Sequence, residues 1–309
     1  MSSVTQPLAV ARPGARALLE NYAELVKLRV TSLIVMTAWC GFYLAAGKNG
    51  VTSLGWSLFH AMLGIGLVAG GTAALNEVLE RDADARMRRT AQRPLPAKHM
   101  SVAHATAVGL AAILGGMVYL SLSTNLLTGV LALATSVTYL GVYTPLKKVS
   151  PVCTFIGAFP GAMPGVLGWT AVRGRLELEA LVLFAIVFFW QFPHFHSIAW
   201  LYREDYENAA IRMLPVVDSD GRSTARSIVM HSVLLIPVTL APTLLHMSGW
   251  IYLAGALLLG LAFLWTGVRL ARLRMAPSQA ASKQAARQVL VASVFYLPLL
   301  FALMMLNAA

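Results

Sequence analysis

Residues 54–76 read LGWSLFHAMLGIGLVAGGTAALN and residues 77–84 read EVLERDAD. The first stretch contains no Asp, Glu, Lys or Arg, and the second is mostly charged. A helix needs roughly 20 predominantly apolar residues to cross the hydrocarbon core of a bilayer. The pair therefore predicts a membrane-spanning helix that runs directly into an acidic end. Eight further apolar runs of similar length lie near 30–46, 101–121, 124–143, 152–172, 180–201, 227–247, 249–269 and 288–307. Lipid offers no partner to an unpaired backbone group, so each run reads as a helix. The expected fold class is all-α: a polytopic membrane protein of nine transmembrane helices. An N-terminal tail spans 1–29, and one transmembrane domain spans 30–309.

The composition agrees. Hydrophobic residues make up 58% of the 309 and charged residues 12%, against about 25% charged in soluble domains. That argues against a soluble enzyme, and such hydrophobicity excludes a disordered chain. The two cysteines, Cys40 and Cys153, both lie in apolar runs. They form neither a disulfide framework nor a metal-binding pair.

The net charge of +11 does not require nucleic acid. With a cytoplasmic N-terminus, only Lys48, Arg173 and Arg175 of the 24 Lys and Arg fall on the far side. Every other loop obeys the positive-inside rule. The reading is N-in and C-out, with anionic membrane lipid as a neighbour of the basic rim. No signal peptide is expected, because the first 28 residues lack an apolar core with a cleavage site. Arg12, Arg16 and the absence of acid before Glu20 resemble a transit peptide. The shortness of this segment and its Pro and Gly favour a bacterial inner membrane over a mitochondrial one.

The acidic end of the second span carries the first chemical signal. Asn76, Glu80 and Asp84 are spaced by four. On one helix they share a face, displaying three oxygen-bearing side chains over about 12 Å. Hard oxygen ligands suit Mg²⁺, which prefers to share its site with substrate phosphates. Arg88, Arg89, Arg93 and Lys98 follow and suit phosphate oxygens. The competing reading is a solvated helix end with pairs such as Glu77–Arg81. Two features favour a site: Asn76 lies inside the apolar run, and a similar acid–base cluster recurs after the sixth span.

That second cluster follows Trp190-Gln191-Phe192-Pro193-His194-Phe195-His196 and includes Arg203, Glu204, Asp205 and Tyr206. His194, Ile198, Tyr202 and Asp205 fall roughly on one helical face, and Pro193 would kink the span. His194 reads as a substrate contact or a hydrogen-bonding packing residue; His196 reads more readily as packing. A third feature, Tyr143-Thr144-Pro145-Leu146-Lys147-Lys148, closes the fourth span. Its lysines either face an anion or anchor the helix. In the fifth span, Gly157, Gly161, Gly165 and Gly168 predict close helix packing.

These motifs carry a resemblance. The run Asn76-x3-Glu80-x3-Asp84-x2-Met87-x-Arg89-Thr90-x2-Arg93-Pro94-Leu95 resembles the first motif of the protoheme IX farnesyltransferase family, among the intramembrane aromatic prenyltransferases. Tyr143-Thr144-x-Leu146-Lys147, Gly168-Trp169, Trp190 to Phe195, Asp205-Tyr206 and Met213-Leu214-Pro215 fit the same family. The resemblance covers about residues 20–305. It implies nine helices around a central cavity, with farnesyl diphosphate and haem B as substrates and Mg²⁺ as cofactor. The reaction would farnesylate a haem vinyl group to give haem O, which a haem A synthase would then receive.

By the same resemblance Asn76, Glu80, Asp84 and Asp205 are the candidate catalytic and metal residues. Arg89, Arg93, Lys147, Lys148, Tyr143, His194, Arg203 and Tyr206 are candidate substrate contacts. Many relatives carry a second Asp four beyond the position of Asp205; here that residue is Ala209. This reduced second motif fits the haem branch better than the quinone branch. The alternatives are a prenyltransferase of quinone precursors and a non-catalytic transporter or respiratory subunit. The latter would place polar residues near the bilayer midplane, whereas these gather at one rim.

Overall fold

The computed structural model describes residues 14–48 and 55–308. Arg12 and Leu54, used above, lie outside that range. In chain order the helices are α1 (Ala15–Leu25), α2 (Leu28–Lys48), α3 (Gly55–Asp84), α4 (Val102–Ser123) and α5 (Leu126–Thr138). A π-helical turn (Tyr139–Tyr143) and α6 (Thr144–Leu146) continue α5. There follow α7 (Cys153–Arg173), α8 (Leu178–Leu201), α9 (Arg203–Asn208) and α10 (Leu214–Val217). The chain closes with α11 (Arg222–Leu244), α12 (Trp250–Leu273) and α13 (Ala280–Leu306). Among the described residues, 9 helical segments are long and apolar enough to cross a membrane: α2, α3, α4, α5 to α6, α7, α8, α11, α12 and α13. They match the nine apolar runs one for one.

The boundaries differ where charge misleads hydropathy. The expected seventh span begins at 227 and the ninth at 288, whereas the helices begin at Arg222 and Ala280. Arg222, Arg226, Lys283 and Arg287 end the apolar pattern without ending the helix, because long basic side chains reach out of the bundle from its rim. Local chemistry sets other ends. The side chains of Ser101 and Asn125 accept hydrogen bonds from the backbone N–H of His104 and Thr128, capping α4 and α5. The π-helical turn sits just before Pro145, which has no N–H to donate. There the Thr144 hydroxyl donates to the Tyr139 carbonyl at 2.9 Å.

Consecutive spans pack side by side, and α13 returns against α2, so the nine close into a ring. The ring is crossed by strong α2–α7 and α8–α13 packing. Glycine permits the closest approaches. A Cβ on Gly168 would overlap the Ala38 carbonyl of α2, and one on Gly71 would lie 2.7 Å from the Gly109 oxygen of α4. The small-residue spacing in α7 therefore serves packing, as expected. Large apolar side chains such as Leu114, Val118, Leu122, Leu258 and Phe295 are exposed around the outside, as lipid-facing surfaces are. With alternating helix direction, the ends carrying Asp84, Lys147, Leu201 and Leu273 share one rim of the ring.

Candidate functional site

The α3 helix continues unbroken to Asp84, so the spacing of four becomes a real face. Asn76, Glu80 and Asp84 are 1%, 8% and 1% exposed. A solvated helix end is thereby excluded. Each of the three oxygen-bearing groups meets a cation from a different element. Lys27, between α1 and α2, donates from Nζ to Asn76 Oδ1 at 2.6 Å. Lys147, just past α6, donates from Nζ to Glu80 Oε1 at 2.8 Å. Arg93, in the loop after α3, donates from Nη1 to Asp84 Oδ2 at 2.8 Å. Glu24 of α1 lies 4.0 Å from the same guanidinium. The Asn76 amide also donates to the Thr144 hydroxyl at 3.2 Å.

The environment splits these cations. Burial lowers the Lys27 ammonium, Arg93 lowers it further, and the pull of Glu80 restores only part; it ends at about 8. Burial is the largest influence on Lys147 and opposes its charge, yet the Glu80 carboxylate, its hydrogen bond and the Tyr143 and Tyr139 hydroxyls together outweigh it and raise Lys147 well above its ordinary value. Arg93 is likewise raised against its burial, by Asp84. The difference lies in the partner: Lys147 and Arg93 face carboxylates, whereas Lys27 donates to a neutral carboxamide.

Around this charged row the remaining expected residues divide. Tyr143 is buried, its ring centroid 4.5 Å from Lys147 Nζ, with the Tyr139 ring at 6.0 Å. The Tyr143 ring rests on Gly157, where a Cβ would come within 2.5 Å. The segment after α8 folds over the first motif, and the Arg212 N–H donates to the Lys147 carbonyl at 2.7 Å. Ala83, Met87, Tyr143, Cys153, Ala199, Ala209, Ile211 and Met213 form one apolar cluster joining the two motifs. Tyr206 packs on that cluster, and its hydroxyl is 3.5 Å from Arg89 Nη2. Arg89 is exposed and lies 5.3 Å over the Tyr202 ring. Asp205 is half-buried, and among the described residues its carboxylate accepts no hydrogen bond. Ala209, four residues beyond Asp205, is fully buried in the apolar cluster and serves packing.

Three expected contacts point elsewhere. Arg203 donates to the Val216 carbonyl at 3.1 Å, bracing the loop between α9 and α10. Lys148 is exposed, with no ion pair among the described residues. His194 stacks on Trp190 with centroids 4.6 Å apart, and its Nδ1 pairs with the Ser293 hydroxyl of α13 at 2.8 Å. His196 pairs through Nε2 with Ser227 of α11 at 3.0 Å, in keeping with packing.

Two residues escaped sequence reading. Lys27 lies within the tail of residues 1–29, and nothing in its sequence neighbours signals a partner in α3. Glu77 looked available to Arg81, but it is fully buried. Its Oε1 accepts the Leu95 N–H at 3.1 Å, pinning the loop that carries Arg93.

The donor set fits a divalent cation shared with phosphate. Asn76, Glu80 and Asp84 supply hard oxygens from one buried face. Among the described residues no three His, Cys, Asp or Glu gather closely enough to hold a metal alone. Oxygens from a bound phosphate would have to complete the shell, which is how Mg²⁺ is commonly held.

Comparison with known proteins places these features. Residues 34–294 match the model of the UbiA prenyltransferase family. A protein from Koribacter versatilis (strain Ellin345) named protoheme IX farnesyltransferase is 63% identical over 307 residues, covering 99% of both chains. A protein of the same name from Solibacter usitatus (strain Ellin6076) is 49% identical, covering 94% of this chain and 99% of its own. Among solved structures, a digeranylgeranylglyceryl phosphate synthase superposes with a TM-score of 0.75 at 16% identity, over 94% of this chain and 98% of its own. A UbiA homologue from Archaeoglobus fulgidus bound to GPP and Mg²⁺ superposes with a TM-score of 0.58 at 18% identity, over 92% and 99% of the two chains.

Proposed function

The chain belongs to the UbiA prenyltransferase family, and from that premise we propose that it transfers the farnesyl group of farnesyl diphosphate to a vinyl group of haem B, forming haem O and releasing diphosphate. The likeness to protoheme IX farnesyltransferases along nearly the whole chain carries the choice of substrates. The buried row of three oxygen groups and three cations supports the chemistry.

The reaction breaks the allylic C–O bond, and both electrons leave with diphosphate. The vinyl π electrons attack the farnesyl carbon. Water adds to the cation formed beside the porphyrin and loses a proton, leaving a hydroxyethylfarnesyl group. Bond cleavage needs the departing negative charge to be stabilised in place. Lys147, held protonated by Glu80, and the guanidinium of Arg93 supply fixed positive charge at the rim. Asn76, Glu80 and Asp84 would hold Mg²⁺, which neutralises phosphate charge when bound. The apolar cluster joining the motifs keeps water from the allylic carbon. Asp205 extends the oxygen set from the second motif, and Tyr206 with Arg89 lines its edge. Lys148, Arg203 and His194 take no direct part in this reading: Lys148 is exposed at the rim, Arg203 braces the second-motif loop, and His194 packs between Trp190 and Ser293.

The proposed setting is a bacterial inner membrane, with the N-terminus and the charged rim cytoplasmic and the C-terminus on the opposite face; the basic residues support that orientation. Residues 30–309 act as one domain, and a haem A synthase is the expected consumer of the product.

The test is direct. Purified protein in detergent is incubated with haem B, farnesyl diphosphate and Mg²⁺, with an EDTA control, and the pigment is analysed by mass spectrometry. The expected product is haem that has gained a farnesyl group and a hydroxyl, only with metal. Unchanged haem from folded protein overturns the reading and directs the assay to quinone precursors.

A further inference from the structure

The junction between α1 and α2 is built at a conformational cost. Only Val26 and Lys27 separate the two helices, and Lys27 takes φ 48°, in the left-handed region. Glycine or asparagine would occupy that region more easily. A lysine stands there instead, its ammonium drawn inward to Asn76 Oδ1 at 2.6 Å. Strain of this kind persists when the surroundings hold it, and it concentrates at functional sites. The surroundings here do hold it. Leu25 is fully buried, the Lys27 N–H donates to the Glu24 carbonyl at 2.9 Å, and the Tyr22 hydroxyl meets His104 Nε2 of α4 at 2.6 Å.

The contact also settles the orientation of Asn76. A carboxamide can present either oxygen or nitrogen in a given direction. Here the Lys27 ammonium, which can only donate, requires the oxygen, and the amide N–H donates to the Thr144 hydroxyl on the other side. Lys147 and Arg93 each have a carboxylate to neutralise; Lys27 has none. Its charge is therefore the least committed of the three.

We propose that Lys27 is a further positioning residue of the diphosphate site: it fixes the Asn76 carboxamide with its oxygen toward the charged row and adds an uncommitted cation for the phosphate. This deepens the proposed prenyl transfer and rests on that reading for the identity of the phosphate.

The test compares Lys27→Met, Lys27→Arg, Asn76→Ala, the Lys27→Met/Asn76→Ala double variant and Tyr22→Phe. Two quantities are read: haem farnesylation with farnesyl diphosphate varied, and calorimetric binding of inorganic diphosphate with Mg²⁺. Lys27→Met is expected to lower kcat/KM by about 100-fold, the scale of one lost electrostatic contact, and to weaken diphosphate binding. Lys27→Arg should restore part of both. Adding Lys27→Met to Asn76→Ala should cost less than it costs alone, the remainder being the cation's own contribution to the phosphate. Tyr22→Phe loosens α1 but keeps the ammonium, so its turnover should stay near that of the unsubstituted protein. Unchanged kcat/KM and diphosphate affinity in Lys27→Met overturn the inference. So does a loss of the same size in Tyr22→Phe, which would make the junction merely structural. If the unsubstituted protein binds diphosphate but leaves haem unchanged, the farnesyl-transfer reading fails while the binding series still decides the role of Lys27.

Discussion

The two rims of the ring carry ion clusters of opposite construction. At the α7–α8 turn everything converges on one carboxylate. Glu177 accepts from Arg173 Nε at 2.8 Å and Nη2 at 3.0 Å, from Trp169 Nε1 at 2.9 Å and from Arg175 Nε at 3.0 Å. Both its oxygens are spent, and the arginine holds its carboxyl down to about 2. Nearby, Lys48 pairs with Glu179. At the opposite rim three oxygen groups on one helix face each take a single cation from a separate element. The Glu177 cluster is saturated and ties a turn together. The α3 row leaves oxygen lone pairs and cations able to take new partners. Saturation suits the first cluster to holding a turn, and the incomplete pairing of the second suits the ligand role proposed for it.

The sharpest way to break that contrast is Asp84→Asn, which keeps shape and removes charge. Haem O formation should fall by about 10²–10³, and unfolding in detergent should show a loss of stability as well, because Arg93 keeps only Glu24 at 4.0 Å; near-normal turnover would remove Asp84 from the chemistry. Next is Lys147→Met. It strands the buried Glu80 carboxylate, so unfolding in detergent should show a loss of about 3–5 kcal/mol together with lost turnover.

At the other rim, Glu177→Gln should retain turnover and lose about 1.5–3 kcal/mol, the scale of a charge-assisted hydrogen bond. A pH series sharpens it. The folded carboxyl lies at about 2 against an ordinary 4.5, so its contribution is complete above pH 4.5 and drains away as pH falls toward 2. Below that window the Gln variant and the parent should melt alike. The smallest effect is expected for Glu179→Ala, less than about 1 kcal/mol, because its lysine partner is nearly half exposed to solvent.

The contrast also separates what sequence can show from what it cannot. The nine spans were legible because apolar length is a local property. The row of Asn76, Glu80 and Asp84 was legible because a spacing of four becomes a face on any helix. Lys27 was not, since its meaning depends on a left-handed residue at a helix junction and on a partner in another span. Glu77 was given no role for a related reason: Arg81 is its partner only on the competing reading, and the observed partner is a backbone N–H in a loop that folds back. For His194, position on a face left packing and substrate contact open, and only the packing of α13 shows the Ser293 pairing.

Ring closure has a consequence for biogenesis. Every member of the charged row, from Lys27 to Lys147, lies in the portion of the chain that emerges first from the ribosome. Most spans pack on the one just inserted, so the row can assemble while the second half is still being translated. The later helices are then laid against a rim that already exists, and α13, arriving last, closes the ring against α8 and α2.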